Sequence, residues 1–232
     1  MNTAPTVAPS SEAAPATALI SVLIADDDPW TTQALALALS SDAELSVRKP
    51  VHSGDAAIDA YRNAPADVVL MDLNMPPGMS GVEATKLILR EHPNARVMIL
   101  TTVSPGPGIA RALEAGALAA VQKTASERTL RDAIKVAARG DDPVLLKRLA
   151  ADISVSGDRL PESPAVPPQL TEAELGVLRL ICEGLSYDEI AEARNISVWT
   201  ARTYAKSLRT KLYANSLGQL VVRALQYRFI SA

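Results

Sequence analysis

Short apolar runs alternate with longer amphipathic stretches through the first half of the chain. Leu19 to Ala25, Leu45 to Val51, Asp67 to Met71, Arg96 to Leu100 and Leu118 to Gln122 are rich in Val, Ile, Leu and Ala, and each predicts a buried strand. Between them, helices are predicted. Asp28-Pro29 reads as an N-cap followed by proline at the first helical position. Ser53 to Ala64 ends before Pro65, Val82 to Arg90 is stopped by Pro93, a short helix spans Ile109 to Ala115, and Ser126 caps a last helix reaching Arg139. Strands alternating with helices predict a parallel, doubly wound sheet with right-handed crossovers. This is a flavodoxin-like α/β domain over residues 19–139, five-stranded with strand order 2-1-3-4-5.

The pattern then changes. Residues 140–169 read as a linker: Pro143 to Ile153 predicts a short helix, and Gly157 to Pro168 an extended, semi-rigid tether. Residues 170–232 are helical throughout. Thr171-Glu172-Ala173-Glu174, Ser186-Tyr187-Asp188-Glu189 and Ser216-Leu217-Gly218-Gln219 each predict a capping box, and Ser197 a further N-cap. Only Arg194-Asn195-Ile196 separates the second helix from the third, the tight connection of a helix-turn-helix within a four-helix, all-α domain. Met1 to Thr17, rich in Ala, Pro, Ser and Thr, reads as part of a disordered tail over residues 1–18.

Composition narrows the function. Of 232 residues, 48% are hydrophobic and 21% charged, as expected of a soluble globular protein, and no run of 18 apolar residues predicts a membrane span. Cys182 is the only cysteine, which fits a reducing compartment such as the cytoplasm, and reads as a core thiol. His52 and His92 lack neighbours at zinc-ligand spacing. The net charge of −3 hides an asymmetry, because from Arg194 onward every charged residue is Arg or Lys. A basic end on a mildly acidic chain points to a polyanionic partner for that end.

In the doubly wound topology all strands end on one side of the sheet. Asp26 and Asp27 follow the first strand, Asp72 the third, Thr101 the fourth and Lys123 the fifth, so they converge on one crevice. Three close carboxylates repel unless a cation joins them, and hard oxygen ligands with room for water suit Mg²⁺. A metal ion and an ammonium also suit a phosphoryl group in transfer, with Asp72 as nucleophile and a hydroxyl at Thr101 to bond a phosphoryl oxygen. In the second half, Val198, Ala201, Ala205, Leu208 and Leu212 predict the inner face of the third helix. Arg202, Thr203, Lys206 and Arg209 predict a cationic outer face that fits the DNA major groove.

Ala25-Asp26-Asp27-Asp28-Pro29, Met71 to Pro76, Leu100-Thr101 and Lys123 resemble the receiver domain of two-component response regulators. The resemblance implies Asp72 as phosphoacceptor from a sensor histidine kinase. It implies Mg²⁺ held by Asp27, Asp72 and the backbone carbonyl of Asn74, with Asp26 acting through water. It implies that Thr101 and Lys123 bind the phosphoryl group and transmit its presence. Leu170-Thr171, Glu174, Val177-Leu178, Gly184-Leu185-Ser186, Glu189-Ile190-Ala191, Ile196-Ser197, Thr200 and Lys211-Leu212 resemble the LuxR-type DNA-binding domain of the NarL/FixJ family. That resemblance implies promoter DNA as partner, Arg202, Thr203 and Lys206 as groove contacts, and a homodimer formed through Leu217 to Gln226.

The chain departs from the family in places. Met75-Pro76-Pro77-Gly78-Met79 carries one residue more than the family loop, Ala120 replaces an aromatic, Ser104 to Gly108 is rich in proline and glycine, and Trp199 stands at a usually polar position. Local packing, DNA and the receiver are all open as partners for Trp199. The expectation is a DNA-binding transcriptional regulator, not an enzyme, controlled by phosphorylation at Asp72. A phosphorylation-independent regulator with the receiver as dimerisation scaffold is the alternative, and a phosphohydrolase lacks a placed general base.

Overall fold

The computed structural model describes residues 18–102, 108–140, 143 and 167–230. Residues 1–17 of the expected tail, nearly all of the linker with its short helix, and residues 103–107 of the Pro/Gly loop lie outside those residues. Five parallel strands, β1 (Ile20–Ala25), β2 (Leu45–Val47), β3 (Val68–Asp72), β4 (Val97–Thr101) and β5 (Ala119–Gln122), form one sheet. Their order is β2-β1-β3-β4-β5, as the alternation of pattern predicts. β2 is shorter than expected, because only Val51 of its later residues pairs, in an isolated bridge to Ala25.

Helices α1 (Pro29–Ser40), α2 (Gly54–Asn63), α3 (Gly81–Glu91), α4 (Ile109–Glu114) and α5 (Glu127–Arg139) cover the sheet. Side chains alternate across the pleat, so each central strand feeds two cores. Leu23, Val69, Met71, Val97 and Ile99 pack with Ile58, Tyr61, Ile88 and Leu113 on one face. Val22, Ile24, Leu70, Met98 and Leu100 pack with Leu39, Leu130 and Ile134 on the other. Every residue of β3 and β4 is buried, the signature of a strand covered on both sides.

The second domain holds α6 (Glu172–Cys182), α7 (Tyr187–Arg194), α8 (Val198–Lys211) and α9 (Leu217–Gln226). Thr171 and Ser186 form complete capping boxes with Glu174 and Glu189. The third expected box is incomplete. Ser216 accepts from the Gln219 amide, but Gln219 Oε1 accepts from the Asn215 N–H at 2.6 Å instead of the Ser216 N–H. Its Nε2 is drawn to the Glu114 carbonyl, also at 2.6 Å, so a contact with the first domain competes for that side chain. The α7–α8 turn is closed by Asn195 in the left-handed conformation (φ 51°), which its short polar side chain tolerates.

The two domains share one apolar cluster through α9. Leu217, Leu220, Val221, Val222 and Ala224 are all buried. Gly218 makes this docking possible: a Cβ there would lie 2.7 Å from the Ala117 carbonyl oxygen and 2.7 Å from Leu113 Cδ2. Arg223 pairs with Glu114 in the same contact. Burial raises the Glu114 pKa against the pull of that guanidinium.

Candidate phosphoryl-transfer and DNA-binding sites

Each group of the first site is set by the last residue of a strand or the loop after it. Asp26 follows β1, its amide fixed by the Val51 carbonyl at 3.1 Å. His52 Nδ1 donates to the Asp26 carbonyl at 3.0 Å. Asp72 ends β3, and its Oδ2 accepts from the Asn74 N–H at 3.0 Å. Thr101 ends the adjacent β4, one residue past the Asp72–Leu100 register pair, and is buried. Lys123 follows β5, and its N–H donates to the Thr101 carbonyl at 2.8 Å.

The side chains of Asp26, Asp27, Asp72 and Lys123 meet as the topology predicts. Lys123 Nζ lies 2.6 Å from Asp26 Oδ2 and 2.9 Å from Asp72 Oδ1. Asp26, Asp27 and Asp72 each offer a carboxylate oxygen, and these oxygens lie within 4.8 Å of one another. Asp26 is fully buried. That burial raises its pKa above the ordinary carboxylate value, even though Lys123 and the Asp28 N–H both oppose the shift. Burial also works against the Lys123 ammonium, but its bonds to Asp26 and Asp72 win and hold its pKa above the usual lysine value. One cation therefore serves a crowd of carboxylates and leaves it short of positive charge. Such a pocket can take a hard divalent cation and then an anionic phosphoryl group.

Gly81 opens α3 just behind this site. A Cβ at Gly81 would lie 1.7 Å from the Asp72 carbonyl oxygen, so only hydrogen fits. Its N–H donates to the Leu73 carbonyl at 3.0 Å and closes the loop after β3.

The second site is α8. Ala201, Ala205, Leu208 and Leu212 are fully buried and Val198 is half-buried, so the expected inner face holds. Arg202, Thr203 and Lys206 are exposed and Arg209 is partly so. The Arg202 guanidinium carbon lies 4.6 Å from the centroid of the Tyr187 ring, a cation–π contact that ties α8 to α7. The Thr203 hydroxyl donates to the Trp199 carbonyl at 2.9 Å.

Behind this face sits a network that sequence did not assign. Glu174 accepts from Lys211 Nζ at 2.8 Å, from Ser207 Oγ at 2.9 Å, and from the Thr171 N–H and hydroxyl at 2.9 and 3.0 Å. Burial opposes its charge, but these donors outweigh burial and pull its pKa down to about 2. The signal was present, since Glu174 is the N3 residue of a capping box. Its reach to α8 required the fold. Cys182 is buried as expected, and burial pushes its thiol up to about 12.

The description "Response regulator receiver domain" matches residues 22–135, and "Bacterial regulatory proteins, luxR family" matches residues 168–224. Response regulator protein VraR of Staphylococcus aureus is 31% identical over 214 residues, covering 91% of this chain and 99% of that relative. A structure of the Salmonella typhimurium RcsB response regulator, described for its conformational dynamism for DNA interaction, is 26% identical with a TM-score of 0.52, over 90% of this chain and 98% of that one. RcsB from Salmonella enterica serovar Typhimurium bound to promoter rprA in the presence of phosphomimetic BeF3- is 25% identical with a TM-score of 0.51, over 88% and 98%. No helix among the described residues is long and apolar enough to cross a membrane. A receiver sheet ending in a carboxylate crevice and a helix-turn-helix with a cationic outer face thus agree with both matches, and the chain belongs to the two-component response regulators that carry a luxR-family DNA-binding domain.

Proposed function

We propose that Asp72 accepts a phosphoryl group from a phosphohistidine of a sensor kinase, and that this event controls promoter binding through α8. The observation that carries the reading is Lys123, whose ammonium contacts both Asp26 and Asp72 at the ends of three different strands. An Asp72 carboxylate oxygen attacks phosphorus, the phosphorus–nitrogen bond breaks, and the imidazole nitrogen leaves with the electron pair. The result is an aspartyl phosphate. Lys123 then turns toward the added charge, and the Thr101 hydroxyl donates to a phosphoryl oxygen. Asp27, Asp72 and the Asn74 carbonyl are the proposed Mg²⁺ ligands, with Asp26 acting through water. The fit rests on three clustered carboxylates and on the raised pKa of Asp26, both of which mark a deficit of positive charge. Bound Mg²⁺ supplies charge neutralisation to the carboxylates and the phosphoryl oxygens.

At the other end, Arg202, Thr203 and Lys206 contact the major groove, and Arg209 the adjacent phosphates. Regulation runs through α9. Phosphorylation loosens its seat on α4 and the turn before β5, and the released apolar face is covered by a second copy, giving a homodimer for two DNA half-sites. DNA as partner makes the cytoplasm the working compartment.

Incubation of the full chain with Mg²⁺ and a small acyl phosphate tests the first step. An acid-labile adduct is expected on the native chain and none on Asp72→Asn. An unmodified native chain would sink the proposal in favour of a phosphorylation-independent regulator, the reading that Ala120 supports. The regulatory step is tested by Gly218→Ala. This change raises helix propensity by about 1 kcal/mol yet removes the room α9 needs to dock. A larger radius of gyration and dimerisation without phosphodonor are expected. An unchanged compact monomer would contradict the role given to α9.

A further inference from the structure

Trp199 is 75% exposed. Among the described residues its indole makes no ring contact and no hydrogen bond. Among the described residues, then, neither local packing nor the receiver covers the indole, two of the three partners open in the sequence. A lone exposed tryptophan calls for no explanation. This one is different in its register. Positions 199, 202, 203 and 206 fall at i, i+3, i+4 and i+7 of α8, so Trp199 shares the face of Arg202, Thr203 and Lys206. It also stands in the first turn, the part of a recognition helix that reaches base edges.

Two of its neighbours on that face already have a partner within the domain. Arg202 lies over Tyr187, and the Thr203 hydroxyl bonds the Trp199 carbonyl. The indole is left as the large apolar surface of a cationic stripe. The first turn of α8 holds no acidic residue, whereas those of α6 and α7 hold Glu172, Glu174, Asp188 and Glu189. Nothing there repels a polyanion. In the major groove the one apolar base feature is the C5-methyl group of thymine.

We propose that Trp199 is a sequence-reading residue whose indole packs on a thymine methyl at the edge of each half-site. The proposal rests on the reading of α8 as the groove-facing helix, and it adds a specificity that the cationic residues do not supply. Arg202 and Lys206 read polar edges and phosphates; Trp199 reads a methyl group.

The test uses the full chain carrying the Asp72 adduct, formed with Mg²⁺ and a small acyl phosphate, and a duplex recovered by selection from random sequences. Each thymine is replaced in turn by uracil, which lacks only the methyl. For the native chain, one thymine per half-site is expected to lose about fourfold in affinity on replacement, the worth of one buried methyl. Trp199→Ala should bind about tenfold more weakly and be blind to that same replacement, while its response at every other thymine is unchanged. Trp199→Phe should keep part of the sensitivity. In a Trp30→Phe background Trp199 is the only tryptophan, and its emission should change when the duplex is added. Equal uracil sensitivity in the native chain and Trp199→Ala overturns this proposal with DNA binding intact, as does an effect of Trp199→Ala confined to oligomeric state. Failure of the native chain to enrich any duplex overturns the groove-facing reading of α8 itself, and this proposal with it.

Discussion

Among the described residues two lysines, Lys123 and Lys211, lie against buried carboxylates, and their surroundings differ in one respect. Lys211 completes a network. Glu174 has four donors, two of them from its own capping box, and its pKa falls to about 2. Lys123 is shared by Asp26 and Asp72 with Asp27 close by, and the buried Asp26 stays above its ordinary value. A carboxylate with donors to spare locks two helices together. Carboxylates that outnumber their cation form a place to which charge must still come. The same residue types thus give structure in one domain and a binding site in the other, and the ratio of donors to acceptors separates them.

The largest effect that would test this contrast is expected from Glu174→Gln. It leaves Lys211 beside a neutral side chain and should destabilise the second domain by about 2 kcal/mol in urea unfolding. Asp26→Asn should act in the opposite direction. Without Mg²⁺ it relieves the crowding and should stabilise the receiver by about 1 kcal/mol, while reducing the rise in melting temperature expected when Mg²⁺ is added to the native chain. If both substitutions destabilise alike, the distinction between the two clusters is lost.

A finer test is acid. Glu174 has a folded-state pKa below its unfolded value of 4.5, so its contribution is whole above about pH 5 and fades as the pH falls toward about 2. Asp26 has a raised folded-state pKa, so protonation relieves its buried charge as the pH falls through that value. Acid therefore weakens the second domain while easing the receiver pocket. Trp199 and Trp30, observed one at a time in Trp30→Phe and Trp199→Phe chains, report on the two domains. The Trp199 signal should be lost at the higher pH, and coincident midpoints would contradict the prediction.

The strands and the crevice were legible in the sequence because both follow from local pattern. β3 announces itself by four apolar residues before Asp72, and a parallel sheet carries every strand end to the same side. The inner face of α8 was legible for the same reason, since burial obeys helical period. What escaped was set by approach between distant segments. Nothing near Gly218 says that a carbonyl from residue 117 will sit against it. Nothing in Ser216-Leu217-Gly218-Gln219 says that Gln219 will prefer Glu114 and Asn215 to its own N-cap. Glu174 was visible as a cap and invisible as the partner of Lys211, because the second role depends on how α6 crosses α8.

The hydrogen that stands in for a side chain at Gly81 has a consequence for how the loop after β3 can vary. That loop is pinned where it leaves the sheet and again where it returns, by the N–H of Gly81 on the Leu73 carbonyl. Between these anchors the chain can lengthen outward without moving the residue behind them. The additional residue in Met75-Pro76-Pro77-Gly78-Met79 is such a change, and Asp72 still meets Lys123 at 2.9 Å. Insertion is tolerated at the tip of this loop because its base is a fixed hinge-pin, and a side chain introduced at position 81 would remove that tolerance.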